Sequence, residues 1–302
     1  MGATAQACRT GVTPNSAIST QQYTNTTLDG ITWTDIDSTN LKTTLSPGAN
    51  STAVLGANID LWTANAGVNQ DIGIFVSDNG GADMLVAWKE SGGFAGTLSP
   101  NAAFVKATYP MIMGHTYLFK LKWKSNINAP GKTIFAGAGP ISAQFSPTSL
   151  ITQTIPSGAN PYAAVSTLQE TLSNSDGTTW QPMDPGLSVT VNPGADTNSI
   201  LGANADLWTA NAGYNQDIGI FVSIDAAPDV LVAWKESGGF AGTYSPNAAF
   251  AQGTYQMTSG HTYVFKLKWK ANINATGKTI FAGAGPISGQ FSPTRLTVEL
   301  TN

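Results

Sequence analysis

Ionic groups are scarce in this chain. Only 11% of its 302 residues are Asp, Glu, Lys or Arg, less than half of the roughly 25% usual in soluble domains. The net charge is −4, and without concentrated Lys and Arg the composition argues against a nucleic-acid partner. Histidine occurs twice and cysteine once, so an internal disulfide is excluded and the usual Cys/His metal spacings are missing. No apolar run reaches the roughly 18–20 residues of a membrane-crossing helix. No segment carries the apolar period of an amphipathic helix either. Thr, Asn, Ser, Gly and Ala fill the gap, giving a surface of neutral hydroxyls and amides. Such a surface suits hydrogen-bonding partners outside the cell or on its surface, and the chain is expected there.

The lone Cys8 follows Ala5-Gln6-Ala7, a small-x-small pattern of the kind found at cleavage sites. It reads as a free thiol in a flexible tail, with a lipid-anchor cysteine as the alternative.

What is present is a repetition. Leu55–Thr148 and Leu201–Thr294 align without a gap, and roughly four positions in five are identical. Asp29-Gly30-Ile31-Thr32-Trp33 aligns further upstream with Asp176-Gly177-Thr178-Thr179-Trp180. The expected organisation is a tail over residues 1–15, one repeat over 16–155, a linker over 156–162 and a second repeat over 163–302. Each repeat is long enough to bury its own core.

The pattern inside each repeat is that of antiparallel strands. Tyr117, Phe119, Leu121 and Trp123 alternate with Lys120, Lys122 and Lys124, as Tyr263, Phe265, Leu267 and Trp269 do with Lys266, Lys268 and Lys270. A period of two places the rings in a core and the ammonium groups in water, where they guard a sheet edge. Further strands are expected over 53–62, 71–77, 84–89, 133–137 and 149–155, separated by Gly- and Pro-containing turns. The fold class is therefore all-β, two tandem antiparallel sandwiches of jelly-roll type.

The succession of a Trp-containing strand, the strand Gln70-Asp71-Ile72-Gly73-Ile74-Phe75-Val76 with a central glycine hinge, and the turn Gly114-His115-Thr116-Tyr117 opening an aromatic strand resembles C1q/TNF-type jelly rolls. It is also similar to carbohydrate-binding and adhesion modules of secreted bacterial proteins. The first resemblance implies trimeric surface recognition, the second glycan binding, and neither transfers any binding residue.

Few chemical constellations stand out. His115 and His261 each follow a glycine and open a core strand, which is a turn position. The repeated acids Asp60/Asp206, Asp71/Asp217, Asp83/Asp229 and Glu90/Glu236 form no Asp-x-Asp-x-Asp-Gly loop. No cofactor is expected, and a structural calcium near Asp71 or Asp60 is the one ion left open. Glycosidase chemistry needs two carboxylates about 5–10 Å apart in one cleft, and the sequence selects no pair. Ala138-Gly139-Pro140 leads into no helix, so it cradles no phosphate.

Two segments stay unchanged between copies although they run into loops: Trp62–Gly67 and Trp88–Thr97 with their twins. An aromatic ring offers a flat face to sugar C–H groups while neighbouring amides and carboxylates bond its hydroxyls. The candidate ligand-binding set is Trp62, Asn65, Asn69, Gln70, Asp71, Trp88, Lys89, Glu90 and Phe94, repeated as Trp208, Asn211, Asn215, Gln216, Asp217, Trp234, Lys235, Glu236 and Phe240. The competing reading puts both tryptophans in the core of a recent duplication. The expectation is a secreted, non-enzymatic, bivalent recognition protein, lectin-like or adhesin-like, that binds a glycan or surface polymer. The alternative is a self-assembling extracellular subunit of a filament, surface layer or shell, with Thr10–Thr27 donated as a strand to a neighbour.

Overall fold

The computed structural model describes residues 13–92, 98–156, 162–237 and 244–301. Cys8, Phe94, Phe240 and residues 157–161 of the expected linker lie outside them. Among the described residues there is no helix.

The first copy consists of β1 (Thr13–Ser19), β2 (Tyr23–Asn25), β3 (Thr34–Asp35), β4 (Lys42–Leu45), β5 (Ser51–Thr63), β6 (Gln70–Asp78), β7 (Met84–Ser91), β8 (Asn101–Met111), β9 (Tyr117–Ser125), β10 (Ile134–Ala136) and β11 (Thr148–Pro156). The second consists of β12 (Tyr162–Ser166), β13 (Glu170–Ser173), β14 (Gln181–Pro182), β15 (Ser188–Val191), β16 (Thr197–Thr209), β17 (Gln216–Ile224), β18 (Val230–Ser237), β19 (Asn247–Met257), β20 (Tyr263–Ala271), β21 (Thr279–Ala282) and β22 (Thr294–Leu300). Among the described residues no strand is shared between the sheets of the two copies.

In each copy two antiparallel sheets face each other. The long β5 pairs along one side with β8 and along the other with β11 and then β10, which carry β1 and β2 outside them. The second sheet runs β7, β6, β9, with β4 and β3 end to end along the far side of β9. This is the order a jelly roll requires. Thirteen-residue β5 is long enough to pair with two strands in succession, and its burial alternates except at Ala53–Leu55, where three residues in a row are buried.

The aromatic face of β9 is buried: Tyr117, Phe119, Leu121 and Trp123 pack with Leu55, Ile59, Leu61, Ile72 and Ile74. Burying such large side chains stabilises each sandwich by about 2–3 kcal/mol apiece. The second core repeats this arrangement around Tyr263, Phe265, Leu267 and Trp269. Ala248, from the second copy, belongs to the first core, so the two sandwiches are packed together.

Three expectations are corrected here. The lysines of β9 neither stand free in water nor guard an edge, because β9 lies between β6 and β3/β4. Lys120 and Lys122 converge on Asp83 at 2.9 and 2.6 Å, and Lys124 pairs with Asp71. Gly73 is no hinge: it is paired on both sides, with Trp88 and with Lys122, beside a register shift at Ile74/Phe75, and a Cβ there would stand 2.9 Å from both Leu85 Cδ1 and Phe75 Cε2 and 3.1 Å from Trp33 Cζ3. The glycine is needed so that these side chains can close over the sheet. Finally, Thr13–Ser19 pairs with Thr148–Thr154 of its own sheet, so this part of the N-terminal segment is already used within the chain.

Candidate functional site

The two copies do not meet through equivalent surfaces. The open side of the first sandwich, where β7 and β8 end their sheets, lies against the outer face of β16, β19 and β22. Side chains from that face cap the free strand edges. Asn204 receives a hydrogen bond from the Lys106 amide (3.3 Å) and donates to the Phe104 carbonyl (2.9 Å). Asp206 accepts from the Glu90 amide at 2.9 Å. Capping by side chains protects β edges that would otherwise seek another strand. Phe104 packs against Phe250 with ring centroids 3.9 Å apart, and Lys106 pairs with Glu299. Trp88 lies against Gly285, where a Cβ would stand 2.8 Å from the ring, and the φ of +104° there favours glycine independently.

A cleft of about 660 Å³ opens along this junction. The first copy contributes Trp33, Asp71, Trp88, Glu90, Lys124 and Asn126, and the second Trp208, Tyr244, Pro246 and the turn Ala284–Ser288. Strand register explains the polar wall. Asp71 on β6 stands opposite Glu90 on β7 and opposite Lys124 on β9, so the three form one row on one sheet face. Directly opposite Cβ atoms in antiparallel strands are about 4.5–5.5 Å apart. Asn69 and Asn126 donate to Glu90 Oε1 at 2.8 and 3.2 Å and hold it in place. Asp71 Oδ2 is held by Lys124, while Oδ1 has no partner among the described residues.

Burial dominates the electrostatics of this row. Desolvation and then the neighbouring Asp71 carboxylate push Glu90 up to about 8. Desolvation raises Asp71 to about 6 against the opposing pull of Lys124. Lys89 lies on the other face of β7, with its ammonium on the Pro293 carbonyl of the second copy; burial lowers it to about 8.

A pH dependence follows. Unfolded, Glu90 titrates near its ordinary 4.5, so between there and about 8 the folded chain holds more protons than the unfolded one. The Glu90 contribution is fully present below about 4.5 and is lost as pH rises through about 8. Asp71, Lys124 and Asp206 face Glu90 and all modulate this window; Lys89 acts mainly above it. Urea denaturation at pH 5.5 and at pH 8 is expected to show the wild type losing stability relative to Glu90→Gln as pH rises. Parallel curves for the two proteins would exclude Glu90 as the titrating group.

The candidate residues are thus divided. Asp71, Trp88 and Glu90 line the cleft, with Asn69 behind them and Lys89 in the domain contact. Gln70 donates to the Trp62 carbonyl at 2.6 Å and is internal support. Trp62 stacks on Phe135 at 4.0 Å, away from the cleft, and Asn65 lies in the loop after it. Among the described residues of the second copy, only Trp208 of the proposed set reaches the cleft; it stacks on Phe281, with Tyr244 beside it at 5.9 Å. Asn211 and Gln216 repeat the supporting roles. Asp217, Asn215 and Glu236 rebuild the polar row with Lys270, but no domain faces them. Trp88 is 3% exposed and its twin Trp234 52%; Lys235 and Glu236 are exposed as well. The repetition predicts two equivalent sites; among the described residues this cleft is assembled from unlike halves of the two copies, and the counterpart of each half faces no other domain.

Trp33, Lys124 and Tyr244 were missed by sequence reasoning. Trp33 carried a signal, since the motif ending in it recurs before Trp180. Of the two places left open for a structural calcium, Asp71 has its carboxylate engaged by Lys124, and no group of three or more His, Cys, Asp or Glu side chains suited to a metal occurs among the described residues. His115 and His261 bind Asp78 and Asp225 in their turns at 2.9 and 2.6 Å.

No protein-family model matches the chain, and no curated protein does. Among solved structures, N-glycanase F (PNGase F) is similar over 94% of this chain and 95% of its own, at 10% identity and a TM-score of 0.36. The N-terminal CBM22-1–CBM22-2 tandem domain of Paenibacillus barcinonensis Xyn10C is similar over 95% and 92%, at 9% identity and a TM-score of 0.26. A structure of infectious bursal disease virus, Gx strain, is similar over 97% and 78%, at 11% identity and a TM-score of 0.24. Likenesses this distant carry no functional conclusion.

Proposed function

We propose that the chain is a secreted recognition protein that binds a glycan, without turning it over, in the cleft between its two sandwiches. The observation that supports this reading is the composition of the cleft walls. Trp33, Trp88, Trp208 and Tyr244 stand around one row of fixed hydrogen-bonding groups, Glu90, Asp71, Lys124 and Asn126. Rings take the apolar faces of a sugar, and a pre-organised polar row takes its hydroxyls at little entropic cost. A neutral ligand also suits a chain with so few charges. Asp71 is tied to Lys124 and Glu90 to two amides, which fits groups that hold a ligand.

A glycan array followed by calorimetry on the best ligand tests the proposal. Tyr244→Ala and Trp33→Ala, neither part of the strand-edge capping, are expected to weaken binding at least tenfold, about 1.4 kcal/mol. Release of sugar from the bound ligand would replace recognition by hydrolysis. Binding that both substitutions leave untouched would move the site elsewhere.

A further inference from the structure

The contact between the two copies is heterologous, and each copy carries both of its halves. The donor half is the β7 strand, Trp88-Lys89-Glu90, buried in the first copy. The same residues on β18, Trp234-Lys235-Glu236, are exposed. The acceptor half is the outer face of β16 and β22, where Asn204, Asp206 and Pro293 are buried. Their counterparts in the first copy are Asn58, Asp60 and Pro147, of which Asn58 and Pro147 are exposed and Asp60 half-buried.

We propose that the chain associates head to tail with further copies of itself, the Trp234 face of one docking on the Asp60 face of the next. The intramolecular junction supplies the template for the strand-edge contacts, since their partners are identical in kind at both open ends; the Phe104–Phe250 pair is already made within the chain and is not repeated. Asp60 stands where Asp206 caps the strand edge, and Gly139 stands where Gly285 admits the Trp88 ring. Among the described residues the junction holds one ion pair between side chains, Lys106 with Glu299, and it is replaced at both ends together, by Gln252 and Gln153. Two amides complement each other, and the exchange strands neither charge of that pair. Ile141 and Ile151 are exposed on the open acceptor face, where their counterparts in the second copy, Ile287 and Thr297, are half-buried and buried.

A head-to-tail contact of this kind leaves one free face at each end and so propagates, into an open filament or, where its rotation closes, a ring. The intramolecular copy gains from a tether that holds its halves at roughly millimolar effective concentration, so the contact between chains is the weaker and its extent rises with concentration. Each new junction would set the row Glu236, Asp217 and Lys270 against Trp62 of the next chain and rebuild the cleft with Leu98 in place of Tyr244. The association itself does not depend on what that cleft binds.

The test is light scattering on the full chain and on two single variants, Trp234→Glu and Asp60→Arg, with circular dichroism confirming their folds. The wild type is expected to gain mass continuously with concentration. Each variant alone should stay monomeric. Their equimolar mixture should form a dimer that grows no further, because it retains one intact donor face and one intact acceptor face. Should Asp60→Arg fail to fold, the exposed Pro147→Glu blocks the same face. A wild type that remains monomeric throughout, or variants that still grow, or a mixture that does not dimerise, would each overturn the proposal.

Discussion

Trp88→Ala is expected to cost the docked pair of sandwiches about 3–5 kcal/mol, the range for emptying a buried Trp site. Trp234→Ala, the same change within the same local sequence, is expected to stay within about 0.5 kcal/mol of the wild type. The contrast rests on burial alone: 3% exposure against 52%. Trp88 lies against Gly285 of the other copy, so its removal opens a void in a contact surface that the backbone on either side cannot easily refill. The loss should appear as a separation of the two unfolding transitions, since docking couples the sandwiches. Urea titration followed by tryptophan fluorescence reads both, and dilute protein keeps the Trp234 face free of other chains. Equal effects at the two positions would mean that the sandwiches do not dock through this strand in solution.

That pair of substitutions also shows where sequence reasoning stops. The alternation from Tyr117 to Trp123 requires one buried and one polar face, and β9 has both. It does not say what lies beyond the polar face, because that depends on which strands flank it. Six strands per copy were readable from apolar runs between turns. Strand β8 was not: Pro110 and Lys106 interrupt its pattern, and a proline is tolerated there because β8 ends its sheet. The row Glu90, Asp71, Lys124 joins three strands distant in sequence, so it exists only once their registers are fixed. Docking is the extreme case. Trp88-Lys89-Glu90 and Trp234-Lys235-Glu236 are the same string, one buried and one exposed, and no rule applied to the string alone separates them.

The polar row leads to the second large effect. Lys124→Met removes the ammonium that holds Asp71, whose side chain is 2% exposed. Breaking a buried ion pair from one side leaves the other charge without compensation, and about 3–5 kcal/mol is the usual cost. Lys124 also donates to the Gly30 carbonyl at 3.1 Å, so the segment leading to Trp33 loses an anchor. Three comparisons separate charge from packing. Adding Asp71→Asn to Lys124→Met is expected to recover part of the loss, because the stranded carboxylate is gone and the pair is directly coupled. Acidification should do the same. Without Lys124 the Asp71 carboxyl rises beyond its present value of about 6, so the penalty is present at neutral pH and is relieved as pH falls through that raised value. Lys270→Met should cost less, since Lys270 and Asp217 are more open to water at 13% and 6% exposure. Denaturation of the four proteins at pH 5 and pH 7.5 measures all of this. A Lys124→Met loss that neither Asp71→Asn nor acid relieves would assign the effect to packing of the lysine stem, and the row would not be an electrostatic unit.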